Sequence, residues 1–227
     1  MEHAFGLGIP LTLAEVCHPR RTAVLVYDMQ VGIVSQIANG RQVVERVRSV
    51  LKAAREGGYR VFFTRHMSLP NEVAGVTQLR TAMAWQHVDR VDRVKPAFLR
   101  DTPGFQITPE LAPLPTEGVI DKITMSAFVA TPLDIALRDC GINSFVIAGI
   151  ALEIGIEPTV RHGLDLGYIP VVVSDACGYG HQAAAERSLA TLAFAGGSLQ
   201  TDSATVVELL RKNLGTTDPN ATLPHSA

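Results

Sequence analysis

The chain has 227 residues, which suits one domain or one domain with a substantial insertion. With 47% hydrophobic and 19% charged residues it can bury a large core, and its composition lies far from that of a disordered chain. A formal net charge of −2 gives no general attraction to nucleic acid or anionic membranes, so neither is expected as a partner.

The opening MEHAFGLGIPLTLAEV lacks a basic segment ahead of an apolar one, and no run approaches the length of a membrane span. A cytoplasmic protein is expected. The run TAVLVYD (22–28) is apolar throughout and ends in a carboxylate, which predicts a strand buried on both faces. GRQVVERVRSVLKAAREGG (40–58) puts Val43, Val44, Val47, Val50, Leu51 and Ala54 on one helical stripe and stops at a glycine pair. YRVFFTR (59–65) reads as the second strand.

From about 66 to 118 the alternation breaks. Prolines at 70, 96, 103, 109, 113 and 115 interrupt it, and apolar periodicity is poor. A segment this long is expected to cover something and to shape a binding site. Alternation resumes with GVIDKIT (strand), TPLDIALRDCG (helix), SFVIAG (strand), EPTVRHGLDLG (helix), IPVVVSDA (strand) and QAAAERSLATLAFAG (helix). A short strand near SLQT and a last helix around 203–213 complete the order, and residues 216–227 read as a loose polar tail. Six strands separated by helices predict a three-layer α/β/α domain over 1–215, with a mainly parallel sheet. Ligands in such folds sit beyond the carboxyl ends of the strands, which here are Asp28, Arg65–His66, Lys122–Thr124, Gly149–Gly155 and Asp175–Gly178.

Chemistry-bearing residues are few. Cys17, Cys140 and Cys177 are scattered and odd in number, without a CxxC pair, and the seven histidines form no HExxH. Neither a disulfide framework nor a metal site is expected. Asp28 at a strand end has an ordinary role as a cap or ion partner and a functional one as a catalytic carboxylate. Lys122 in an otherwise apolar strand must find a partner or lose its charge.

VLVYDMQ (24–30), DKITMSAFVATPLDIALRDCGI (121–142), FVIAGIALEIGI (145–156), HGLDLGYIPVVVSDAC (162–177) and HQAAAERSLATL (181–192) occur together in this order. The chain thereby resembles the isochorismatase-like hydrolases, the cysteine hydrolase superfamily, from about Thr22 to the last helix. The resemblance implies a Rossmann-like strand order, no cofactor, a small-molecule substrate and a homodimer or homotetramer. It places the catalytic aspartate at Asp28, the lysine at Lys122 and the nucleophilic cysteine at position 155, where this chain has glycine. Isochorismatases carry glycine there and hydrolyse a vinyl ether. The resemblance therefore implies Asp28 as a general acid with a pKa raised by burial, Lys122 orienting it and binding an anionic substrate group, and Gly155 giving space and a backbone N–H at a helix N-terminus.

Ile150–Ala151 matches the family's non-proline cis peptide, whose turn aims N–H groups into the site. His66 stands where isochorismatases have a substrate-holding glutamine, and no tyrosine follows the turn's first residues. Arg65, His66, Arg80 and Trp85 are candidates to read a carboxylate or a ring, with plain surface or packing as the alternative. Glu153 and Glu157 flank Gly155 as substitute acids or as helix caps. Two other readings stay open: a cysteine amidohydrolase whose nucleophile has been replaced by glycine, and a non-catalytic metabolite binder.

Overall fold

The computed structural model describes residues 1–212. Its strands are β1 (Glu2–Ala4), β2 (Leu7–Ile9), β3 (Thr22–Tyr27), β4 (Arg60–His66), β5 (Gly118–Lys122), β6 (Ser144–Ile150), β7 (Ile169–Gly178) and β8 (Leu199–Thr201). Its helices are α1 (Leu13–Val16), α2 (Val31–Val34), α3 (Gly40–Glu56), α4 (Val76–Gln86), α5 (Leu133–Asp139), α6 (Glu157–Asp165), α7 (Gln182–Ala195) and α8 (Ser203–Lys212).

Every residue of β3 is buried, because β3 lies inside a six-stranded sheet of order β5-β4-β3-β6-β7-β8. All five neighbouring pairs are parallel. The six expected strands and their mainly parallel arrangement are therefore observed. From β3 the chain builds outward to β5, returns beside β3 with β6, and builds outward again to β8. The strand order reverses between β3 and β6, and a crevice at the carboxyl ends of those two strands is where such sheets bind ligands.

Side chains alternate across the sheet, and the two faces bury different cores. Val24 and Val26 join Phe63, Val146 and Val171 against α3 and α8, which supply Val43, Val47, Val50, Val206 and Leu210. Ala23, Leu25 and Tyr27 join Phe145, Ile147 and Val172 on the opposite face, against Phe128, Leu133, Val160 and Leu192 from α5, α6, α7 and the segment before them. Tyr27 thus points toward α6.

Some elements differ from expectation. β5 stops at Lys122, while β7 runs on through Cys177 to Gly178. Residues 2–9 form a small antiparallel hairpin turning at Phe5–Gly6, both at positive φ. The 66–118 segment contains the eleven-residue α4, which has no buried residue and so shows no apolar stripe in its sequence. Short 3₁₀ turns at Pro103–Phe105 and Pro109–Leu111 begin at prolines, where a missing N–H costs least. Residue 213 of the last expected helix, the boundary at 215 and the 216–227 tail lie outside the described residues.

Candidate active site

The strand-end residues converge because of which face each one takes. On β4, Phe62 packs in the α6-side core and Phe63 in the other, so Thr64 and His66 fall on the α6 side and Arg65 on the α3 side. On β5, Ile120 lies in the α6-side core, and Lys122, two residues on, follows it. Regular alternation would send Asp28 to the α3 side, after Val26. Instead Asp28 has φ 47°, in the left-handed region that aspartate tolerates better than most residues. The turn brings its carboxylate among Tyr27, Thr64 and Lys122.

There, Lys122 Nζ donates to Asp28 Oδ2 at 2.6 Å, and Thr64 Oγ1 donates to Oδ1 at 2.6 Å. The pair is buried, with lysine and aspartate side chains 0% and 5% exposed. Lys122 Nζ also donates to Thr124 O at 3.1 Å and sits 4.3 Å from the centre of the Tyr27 ring. Two of the lysine's donors and its charge are thus engaged inside the protein. The expected contact of Lys122 with an anionic substrate group is not available in this arrangement, because the ammonium has no exposed surface.

Position 155 also departs from expectation. Residues Leu152–Ile156 form a single π-helical turn, and Gly155 N donates to Ala151 O at 3.0 Å. That N–H is consumed within the turn and does not face a ligand. The space at Gly155 is filled as well. A Cβ built there would stand 2.5 Å from Cε1 and Cζ of Tyr27 and closer still to its hydroxyl. Tyr27 is only 1% exposed, and its hydroxyl donates to Met125 O. Burial foremost, then the Asp28 charge, pushes the phenol well above its usual pKa, so it stays a proton donor. The tyrosine was hidden in the sequence as one more large residue of an apolar strand.

Ile150–Ala151 is a cis peptide, as the resemblance implied. Gly149 precedes it at φ 141° and pairs with Tyr27 across the ladder, where a Cβ would run into the Tyr27 carbonyl. Cys177 pairs with Gly149 from the other side. Burial pushes the thiols of Cys17 and Cys177 up to about 12.

The remaining candidates divide. His66 and Trp85 line a cavity of about 460 Å³ between α4, the 94–98 segment and residues 123–125. Neither Asp28 nor Lys122 lines it, but Thr124 and Met125 do, and their carbonyls accept the bonds from Lys122 and Tyr27. Arg65 turns away, pairing with Asp121 at 2.7 Å and lying 4.3 Å from the centre of the Phe105 ring. Arg80 is exposed and does not line the cavity. Glu153 Oε1 accepts the N–H groups of Gly180 and His181, each at 2.8 Å, which is the cap reading. Glu157 pairs with Arg161 and accepts from the Ser188 hydroxyl. Glu153 Oε2 is buried with no hydrogen-bond partner among the described residues.

Gln30, unremarked in the sequence, ties the covering segment down. Its amide nitrogen donates to His66 O and Phe105 O, each at 3.0 Å, and its oxygen accepts His66 N at 2.6 Å. Among the described residues no group of three or more His, Cys, Asp or Glu is placed to hold a metal ion. Nor is any helix there long and apolar enough to cross a membrane.

The chain is thus a parallel α/β domain with a buried Asp–Lys pair beside its switch point. The isochorismatase domain model matches residues 22–204, so the chain belongs to the isochorismatase family of hydrolases. It is 30% identical over 180 residues to a ureidoacrylate amidohydrolase, RutB, of Cronobacter sakazakii, covering 73% of this chain and 76% of that one. An isochorismatase family protein of Burkholderia thailandensis superposes with a TM-score of 0.68 at 28% identity, over 84% of this chain and 96% of that one. A cysteine hydrolase of Pseudomonas syringae pv. phaseolicola shares the fold, with a TM-score of 0.74 at 24% identity over 87% and 96% of the two chains.

Proposed function

We propose that the protein hydrolyses a small organic substrate without a cysteine nucleophile, using Asp28 as the acid–base residue and Lys122 as its counter-charge. The fit of Tyr27 against Gly155 carries this reading. The volume that a cysteine side chain would need is taken by a buried phenol, while the Asp28–Lys122 pair is retained beside it. That fit also speaks against an amidohydrolase that has merely lost its cysteine, since such a loss would leave a gap. The thiols raised to about 12 at Cys17 and Cys177 do not supply thiolate at neutral pH. Water is then the nucleophile, and the carbon undergoing attack belongs to an enol ether or a ureido amide.

Asp28→Asn keeps the shape of the carboxylate but carries no proton. Against a panel of vinyl ethers and ureido amides, including ureidoacrylate, it is expected to lower turnover by ~10²–10⁴-fold. Alkylating the thiols is expected to leave turnover unchanged. Loss of turnover on alkylation, with Asp28→Asn still active, would overturn the reading. Saturable binding of panel compounds with no turnover dependent on Asp28 would favour a metabolite-binding protein instead.

We also propose a homodimer or homotetramer. Phe5, 99% exposed, and Phe194, 93% exposed, are the apolar side chains such an assembly would cover. Light scattering at micromolar concentration is expected to give two or four chain masses, and a monomer would count against it.

A further inference from the structure

The Asp28–Lys122 pair does not line the cavity in which a substrate has room, so something must connect them. We propose that His66 is the catalytic residue that meets the substrate there, its imidazole moving the proton, and that Asp28 acts on the substrate only as the charge behind that imidazole. The inference rests on the hydrolase reading and assigns the contact with substrate within it.

His66 shares a sheet face with Thr64, whose hydroxyl holds Asp28, and stands two residues further along β4 toward the cavity. It lines that cavity, and among the described residues the only other titratable side chain doing so is Lys95. The His66 backbone is fixed by both ends of the Gln30 amide, and the ring by an edge contact with Phe98 at 6.1 Å. No protein group hydrogen-bonds the ring among the described residues, and its nitrogens are not among the sealed-off polar atoms. They are left for a ligand or water.

Two charges bear on the imidazole, Asp28 from the end of β3 and Lys122 from β5, while Lys95 from the segment before Phe98 lines the same cavity. Arg65 and Asp121 pair on the opposite sheet face. Burial foremost holds the imidazole below its usual pKa; the Lys122 charge adds to this and the Asp28 charge opposes it. The ring is thus neutral at pH 7, with one nitrogen to accept a proton and one to donate. As water adds to the ureido carbonyl carbon, its oxygen forms the new C–O bond, the carbonyl π pair moves onto the carbonyl oxygen, and the proton of the water passes to the imidazole. The resulting imidazolium gives that proton to the departing nitrogen as the carbonyl re-forms and the C–N bond breaks. The Asp28 carboxylate stabilises the imidazolium in between. Leu69, Leu79, Trp85 and Phe98 give the cavity an apolar lining, and Lys95 is its one cation. The substrate class for this step is therefore a small ureido amide with an apolar body and at most one anionic group.

Two measurements on the full chain test this. In an NMR titration of ¹³C-labelled histidines, with His66→Gln giving the assignment, the His66 midpoint is expected below the ordinary value of about 6.5. It should fall further in Asp28→Asn, which removes the charge that opposes the shift. A midpoint at the ordinary value and indifferent to Asp28→Asn would overturn the relay. The second measurement is the pH profile of kcat/KM on the panel compound turned over fastest. His66→Gln keeps a polar side chain but cannot carry a proton. It is expected to lower kcat by ~10²–10⁴-fold with little change in KM, and to erase the acidic limb that follows the His66 midpoint. An unaltered rate and profile in His66→Gln, with Asp28→Asn inactive, would sink the relay and spare the hydrolase. Wild-type protein as inert as Asp28→Asn on every compound would sink the hydrolase itself.

Discussion

Replacing Lys122 with methionine is expected to lower the unfolding free energy by ~3–5 kcal/mol, the range for removing one partner of a buried ion pair. The substitution preserves length and apolar bulk, so the loss is electrostatic. Asp28 would keep its bond from Thr64 Oγ1, while Oδ2 would lose its donor and be left beside a methionine with no compensating charge. Thr124 O would lose its donor too. The pair is measured by a cycle: Asp28→Asn in the Lys122→Met background should restore part of the loss, because an uncharged amide is cheaper to bury than a lone carboxylate. Denaturant titration of the four proteins checks it. A Lys122→Met protein as stable as wild type would mean that water reaches Asp28 freely and that the pair is not sealed as described.

The same pair was the part of the site most legible in the sequence. A lysine inside an apolar strand and a carboxylate closing another stand out against their neighbours, and each demands a partner. The strand order was legible for a similar reason, since fully buried parallel strands write themselves as unbroken apolar runs such as TAVLVY. Other elements leave no such trace. α4 buries no residue, so it has no stripe to find, and the short hairpin at residues 2–9 buries no residue of either strand. Among the site candidates, Arg65 and His66 looked equivalent in a list, but the two-residue alternation of β4 separates them: one meets Asp121 and Phe105, the other the cavity. Period-two reasoning from Phe62 and Phe63 would have divided them in advance. Gly155 was noticed for the side chain it lacks. The tyrosine that takes up the room lies on another strand, and only the pairing of β3 with β6 brings them together.

Gly155→Cys is expected to destabilise the protein rather than convert it into a thiol hydrolase. The new Cβ would be forced onto Cε1, Cζ and the hydroxyl of Tyr27. A flexible surface side chain would swing aside, but Tyr27 is sealed in the α6-side core, with Lys122 over its ring and Met125 O on its hydroxyl. Overpacking of this kind costs ~1–3 kcal/mol, and displacing the phenol would add the cost of an unmet carbonyl at Met125. Tyr27→Val alone is also destabilising, since it opens a cavity where the ring was and removes the face that Lys122 rests on. Combined, the two changes should lose less than the sum of the single losses, because each removes the other's fault: valine clears the ring and cysteine refills part of the space. Thermal or denaturant unfolding of the three variants measures that coupling, and alkylation of the new thiol reports whether it has become accessible. A Gly155→Cys protein with wild-type stability and a reactive thiol would show that Tyr27 yields readily. Position 155 would then be a nucleophile site standing ready for its cysteine, and the case for chemistry without one would fall.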